Sequence, residues 1–297
     1  MPDIKQASDF ARQAFIMANT LDIEVIFVQS DVHEDFTLVS SIRGRDRIVW
    51  LTTQIQAQNI NPETNDEILA LSLNSIRGSA IRSMGMLLAC LRGSIKPDDR
   101  VLCLYSSIAG KELDSITITR PKDRLHIIRK LNMETISRLF APEVFARLMN
   151  ILTRFATEGR EGRPIGTIFV LGDPEELGPY LKELILNPCQ GHLPELRNVF
   201  NIAFFETFRE LSALDGAFVI NRRGIVESAG VYLAAPEKPS VLRPGFGARH
   251  AAAAAITEHT DCITMVLSES SGNISIFHDG EALFEIELHQ GREWRFG

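Results

Sequence analysis

Pro244-Gly245-Phe246-Gly247-Ala248-Arg249-His250 runs without a break into Ala251-Ala252-Ala253-Ala254-Ala255, a glycine-bearing loop that feeds a helix of small residues. Such a junction presents unpaired backbone N–H groups at the positive end of a helix dipole, which suits an anionic phosphate. Gly245 and Gly247 permit backbone conformations closed to other residues. Arg249, with His250 beside it, offers matching side-chain contacts. The same letters also suit a tight turn before an alanine helix packed closely on a sheet, with Arg249 merely solvated, so the junction needs company to mean more.

Its company lies on both sides. Upstream, Leu214-Asp215-Gly216-Ala217 sets a carboxylate immediately before a strand expected over Ala217 to Ile220. The hairpin-like turn Asn221-Arg222-Arg223-Gly224 leads to a second strand over Ile225 to Ser228. A carboxylate at Asp215 can take a divalent cation, because Mg²⁺ is usually held by one or two carboxylates together with substrate phosphates. Asp-Gly is also an everyday turn. Downstream, Ser268-Glu269-Ser270-Ser271-Gly272 closes a strand expected over Cys262 to Leu267, which puts a hydroxyl and a carboxylate at a sheet edge. By itself it is a hairpin loop.

The remaining apolar spacing fills in the second half. Helical patterns occupy Met133 to about Thr157 (interrupted near Pro142), Pro174 to Leu186, Glu195 to Leu214 and His250 to Thr257. Further strands are expected over Gly166 to Leu171, Ile274 to His278 and Ala282 to Leu288. This mixture describes an α+β domain with a mixed central sheet flanked by helices. Arg160 and Arg163 fall in a polar turn and are expected to be solvated.

The first half alternates differently. Ala7, Phe10, Ala11, Ala14, Phe15 and Ala18 recur at helical spacing, followed by strands at Ile23 to Val28 and Ile48 to Thr52. An apolar helix over Ile76 to Leu91 and strands at Arg100 to Tyr105 and Asp114 to Thr119 complete a small α/β layer domain. Arg120-Pro121-Lys122-Asp123 is a polar break that a helix would not easily cross. The boundary is therefore placed between about Pro121 and Glu134, giving domains at residues 1–128 and 129–297.

Bulk properties exclude several classes. The 297 residues are 45% hydrophobic and 23% charged, and carry a formal net charge of -7, so the molecule lacks the positive field of a general nucleic-acid binder. Cys90, Cys103, Cys189 and Cys262 form no CxxC pair, which argues against a zinc site or disulfide framework and for reduced cytoplasmic thiols. No apolar stretch approaches the roughly 20 residues of a membrane span, and the first residues do not read as an export signal. His33, His126, His192, His259, His278 and His289 share no ligand spacing and are assigned to surface or satisfied core positions.

Taken in order, the DGA, G-x-RH and S-E-x-x-G elements resemble one family, the diadenylate cyclases with a DisA N-terminal type domain. The resemblance covers roughly Leu148 to Gly297, including the strand at Ile165-Gly166-Thr167-Ile168-Phe169-Val170. It implies that two ATP molecules are joined into cyclic di-AMP with Mn²⁺ or Mg²⁺. Asp215 would serve the metal and the attacking 3′-hydroxyl, and His250 would be a second metal ligand. Asp215, Arg249 and His250 would be the catalytic set. Gly216, Ala217, Gly247, Ala248, Arg249, His250, Ser268 and Glu269 would contact the nucleotide, with Gly216 and Ala217 allowing its close approach.

The commoner bacterial pattern is G-T-R-H-R, from which Ala248 and Ala251 depart with loss of a hydroxyl and a cation. The archaeal-type branch is expected to look like this chain, with alanines after G-x-RH. In that branch a domain resembling the C-terminal α/β domain of pyruvate kinase precedes the cyclase domain, and the order of elements in the first half matches it. No nucleotide or metal motif stands there, which points to a regulatory or oligomerisation module. Because each active site would hold one ATP, two cyclase domains must face each other, without nucleic acid or membrane. The alternatives are a catalytically degenerate sensor that binds ATP or cyclic di-AMP, motivated by Ala248 and Ala251, and an interaction protein in which the second half is only scaffold.

Overall fold

The computed structural model describes residues 4–30, 33–42, 47–52, 66–70, 79–107, 112–130, 138–161, 165–235 and 245–286. The expected residues 76–78, 133–137, 162–164, 244 and 287–289 lie outside them. The chain divides into two compact units, Met1–Arg129 and Lys130–Gly297.

The N-terminal unit is an α/β layer. Helix α1 (Ile4–Thr20) precedes strand β1 (Val25–Gln29), α2 (His33–Ile42) precedes β2 (Arg47–Thr52), and β3 (Glu67–Ala70) precedes α3 (Ser79–Leu91) and β4 (Val101–Tyr105). Strand β5 (Ser115–Thr119) closes a sheet of order β3-β2-β1-β4-β5, in which only the β4–β5 pair is antiparallel. Val25 to Val28 and Ile48 to Leu51 read as unbroken apolar runs because a parallel sheet is covered on both faces. Ala11, Ala14, Phe15 and Ala18 of α1 pack on Ile26, Val28, Ile48 and Trp50. Behind the sheet, a Cβ at Gly85 of α3 would meet Leu51 and Phe27 at 2.8 Å, so that helix lies close. Neither α2 nor β3 was expected from the sequence. Pro121, read as a break, instead opens the short helix α4 (Pro121–Arg124) at its first position, where a missing N–H costs nothing; α5 (His126–Lys130) follows.

The C-terminal unit is built on a mixed sheet. Its helices and strands run α6 (Pro142–Glu158), β6 (Thr167–Leu171), α7 (Pro174–Leu177), β7 (Leu181–Glu183), α8 (Phe204–Leu211), β8 (Ala217–Ile220), β9 (Val226–Leu233), α9 (Ala248–His259), β10 (Ile263–Leu267), β11 (Ile274–His278) and β12 (Glu281–Ile286). The sheet order is β12-β11-β10-β6-β8-β9-β7, with β6 and β8 parallel and the other pairs antiparallel. Period-two alternation sends Ile168, Val170, Ala217 and Val219 to one face, under Ala253, Ala254 and Ile256 of α9. Phe169 and Phe218 go to the other. There Phe208 of α8 stacks on Phe169 at 4.9 Å and meets Phe218 edge-on at 4.4 Å, with Phe155 of α6 behind.

Two expected helices are corrected. Pro174 to Leu186 is helical only to Leu177; a 3₁₀ turn (Gly178–Tyr180) follows, where Pro179 contributes no N–H, and Leu181 then pairs with Leu233 on β9. Glu195 to Leu214 is helical only from Phe204 to Leu211. The residues before it form turns pinned by side chains: Asn198 Oδ1 accepts from Phe200 N, Asn201 Oδ1 accepts from Ala203 N, and Arg197 donates to the Val226 carbonyl. Asparagines that bond their own backbone compete with a helix even where the apolar spacing fits one. All four cysteines are free and buried, and burial pushes the Cys90 and Cys262 thiols up to about 12. Among the described residues no helix is long and apolar enough to cross a membrane.

Candidate active site

The parallel strands β6 and β8 begin side by side, with Ile168 opposite Ala217, and a cleft of about 1060 Å³ opens at these amino ends. Every residue that the sequence singled out lines it: Asp215, Gly216, Ala217, Gly247, Ala248, Arg249, His250, Ser268 and Glu269. Three distant segments therefore meet. Asp215 ends the turn before β8, Gly247 caps α9, and Ser268-Glu269 follows β10.

Arg249 ties them together. Its Nη1 donates to Glu269 Oε2 at 2.9 Å, and its Nη2 lies 3.7 Å from Asp215 Oδ1. Asp215 is 94% exposed, so its carboxylate is free to meet an incoming ligand. The charged groups on the cleft wall are Asp215 and Glu269 against Arg249, a net of one negative charge with His250 neutral. A bare triphosphate would be repelled by that balance. A hard divalent cation on the exposed carboxylate reverses it, and the oxygen donor fits Mg²⁺ or Mn²⁺. No cluster of three or more His, Cys, Asp or Glu around one point occurs among the described residues, so a cation here would lean on substrate oxygens and water.

His250 is packed among aromatic rings. It is 6% exposed, lies flat on Phe246 with ring centres 4.5 Å apart, and meets Phe277 edge-on at 6.0 Å. Its Nδ1 is buried without a hydrogen-bond partner, which leaves Nε2 as the atom able to face a ligand. Burial lowers its pKa from 6.5, so the folded protein holds a neutral imidazole. Below about 6.5 the unfolded chain takes up a proton that the folded chain refuses. The stability His250 contributes is therefore present above that pH and is lost as the pH falls. In urea unfolding between about pH 7.5 and 5.5, His250→Phe should lose less stability than the parent; equal losses would show that His250 does not carry this dependence.

The glycines act differently from expectation. Gly245 has φ +97°, a left-handed conformation that favours glycine, but Gly247 is extended at φ −88° with open space where a Cβ would be. Conformational freedom thus matters at the first and not at the second. Gly216, expected to let the nucleotide approach, has φ +117° and makes room for protein: a Cβ there would lie 2.7 Å from the carbonyl carbon of Gly230 on β9. Among lining residues the sequence did not flag, Leu184, Tyr232 and Leu233 give the cleft an apolar wall. The 52% exposed Leu184 and 55% exposed Tyr232 owe that place to the β7–β9 pairing, which no local pattern announces.

Comparison with known proteins gives the class first. The family model described as DisA bacterial checkpoint controller nucleotide-binding matches residues 154–282, which contain the cleft. A diadenylate cyclase of Methanocaldococcus jannaschii is 31% identical over 96% of this chain and 94% of its own. One of Haloferax volcanii is 29% identical over 65% of this chain and 70% of its own. Among solved structures, DacA of Staphylococcus aureus shares 25% identity over 47% of this chain and 83% of its own, with a TM-score of 0.33. The chain belongs to the diadenylate cyclase family, and is by that membership a nucleotidyltransferase.

Proposed function

We propose that this protein condenses two ATP molecules into cyclic di-AMP and two pyrophosphates, using two copies of the cleft placed face to face. The observation that carries this is the junction of Arg249 with both Glu269 and Asp215 inside a cleft of nucleotide size. The phosphates lie on the Gly247 to His250 junction, where the N–H groups opening α9 are free of intrahelical partners. Asp215 and His250 hold a Mn²⁺ or Mg²⁺ ion, which when bound neutralises phosphate oxygens. Arg249 orients the α-phosphate, Glu269 holds Arg249, and Ser268 stands by the ribose and phosphates. Leu184, Tyr232 and Leu233 offer apolar surface to the base.

In each half-reaction a 3′-hydroxyl releases its proton to solvent and its oxygen bonds to the α-phosphorus of the opposite ATP, the α–β phosphoanhydride bond breaks, and pyrophosphate leaves. Done twice, this closes the ring. Catalysis then comes chiefly from positioning and charge stabilisation. The N-terminal unit, which resembles the pyruvate kinase C-terminal domain in its order of elements, is assigned a regulatory or association role.

The test is to incubate the purified protein with ATP and Mg²⁺ or Mn²⁺ and to separate the products by anion exchange with mass detection. Cyclic di-AMP and pyrophosphate are expected, at a rate that rises faster than linearly with protein concentration. Intact ATP with either metal would overturn the activity, and a rate that stays linear down to concentrations at which the chain is monomeric would overturn the facing pair.

A further inference from the structure

We propose that Gly166 is a positioning residue for the reaction, because its missing side chain fixes where the Arg249 guanidinium lies. The proposal rests on the assignment of Arg249 to the phosphates. Gly166 precedes β6, belongs to none of the three motifs and does not line the cleft. A Cβ at this position would stand 2.7 Å from Arg249 Nη1, 3.1 Å from Arg249 Cζ and 2.8 Å from Glu269 Cβ. Carbon atoms in good contact sit about 3.5–4.0 Å apart, so no side chain fits while that pair holds its place. Backbone freedom is not what glycine supplies here, since Gly166 is absent from the residues with positive φ. It supplies space.

What would yield to a methyl group follows from how each neighbour is held. Glu269 Cβ rides on a turn closed by two backbone hydrogen bonds, Gly272 N to Ser268 O and Ser268 N to Asn273 O, each 2.9 Å. Arg249 Nη1 is the far end of a long flexible side chain. The guanidinium therefore moves most, by about 1 Å to regain ordinary contact, and gives up its hold on Glu269, while the turn carrying Glu269 Cβ must also give by roughly half an ångström. Misplacing a group that orients a reacting phosphate by about 1 Å is enough to cost ~10²-fold in rate. The clearance at the foot of β6 thus belongs to the active site, although no atom of Gly166 touches the substrate.

The experiment measures kcat and KM for ATP in Gly166→Ala, Arg249→Lys and the double variant, with thermal unfolding of each. Gly166→Ala should fold and lose roughly 30- to 100-fold in kcat, more than it changes KM. In the Arg249→Lys background the same methyl should cost less than about 3-fold, because lysine has no Nη1 to displace. Additive losses would overturn the proposal, as would unchanged kcat in Gly166→Ala while Arg249→Lys is impaired. Full activity in Arg249→Lys would instead sink the role given to Arg249, and this inference with it. Should Gly166→Ala fail to fold, Gly166→Ala/Glu269→Gly removes the Cβ it meets; restored folding would support the contact, and no restoration would overturn it.

Discussion

Asp215→Asn should lower cyclic di-AMP formation by roughly 10²- to 10³-fold, the scale seen when one preorganised stabilising group is removed from a reacting centre. The exchange keeps the shape of the side chain and removes only its charge. Asp215 is almost fully exposed and, among the described residues, is approached only by Arg249 Nη2 at 3.7 Å, so thermal stability should change by less than about 0.5 kcal/mol. Arg249 remains tied to Glu269 at 2.9 Å, and the start of α9 at Gly247 is untouched. The loss should therefore fall on turnover rather than on folding. Product analysis beside a thermal melt decides the matter, and full activity in the variant would remove Asp215 from the mechanism.

Gly216→Ala should act through the fold. At φ +117° an L side chain is strained, and its Cβ would press on Gly230 and on Val231 N, 2.7 and 2.8 Å away. Backbone strain and overpacking together cost about 3 kcal/mol. For a unit of this size that corresponds to a fall in Tm of about 6–12 °C. Gly230 cannot retreat easily, because it is itself left-handed at φ +69° and backed by Ile185 Cγ1 at 2.7 Å from its own Cβ position. The paired glycines sit where the β8–β9 register shifts, between Ala217 and Val219, which marks an irregularity that re-aims the start of β8 and hence Asp215. A melt within about 2 °C of the parent would show that the two strands separate more readily than their spacing implies.

The three motifs are legible because each is compact, at Asp215-Gly216-Ala217, Gly247 to His250 and Ser268-Glu269, although each alone also reads as an ordinary turn or loop and only their order points to one family. Their convergence on one cleft became visible only with the sheet order, in which β6 lies between β8 and β10. Gly166 reads from the sequence merely as part of a strand, because the side chains that crowd it, Arg249 and Glu269, are distant in sequence. The misread helices had a different cause. Apolar spacing in Glu195 to Leu214 is satisfied by turns whose asparagine side chains replace helical hydrogen bonds. Strand β3 and helix α2 carried too little periodicity to be separated from their neighbours.

The two faces of the C-terminal sheet differ in how much motion folding must suppress. The phenylalanines of α6 and α8 each surrender rotamers to be packed, whereas Ala253 and Ala254 of α9 have none to surrender. Alanine leaves little soft side-chain layer between helix and strands at these positions, so α9 lies close on the sheet, with the longer Ile256 packed beside them. If the junction at its amino end takes the phosphates as proposed, its N–H donors are carried by a closely packed helix, and little of the binding free energy is spent on ordering them.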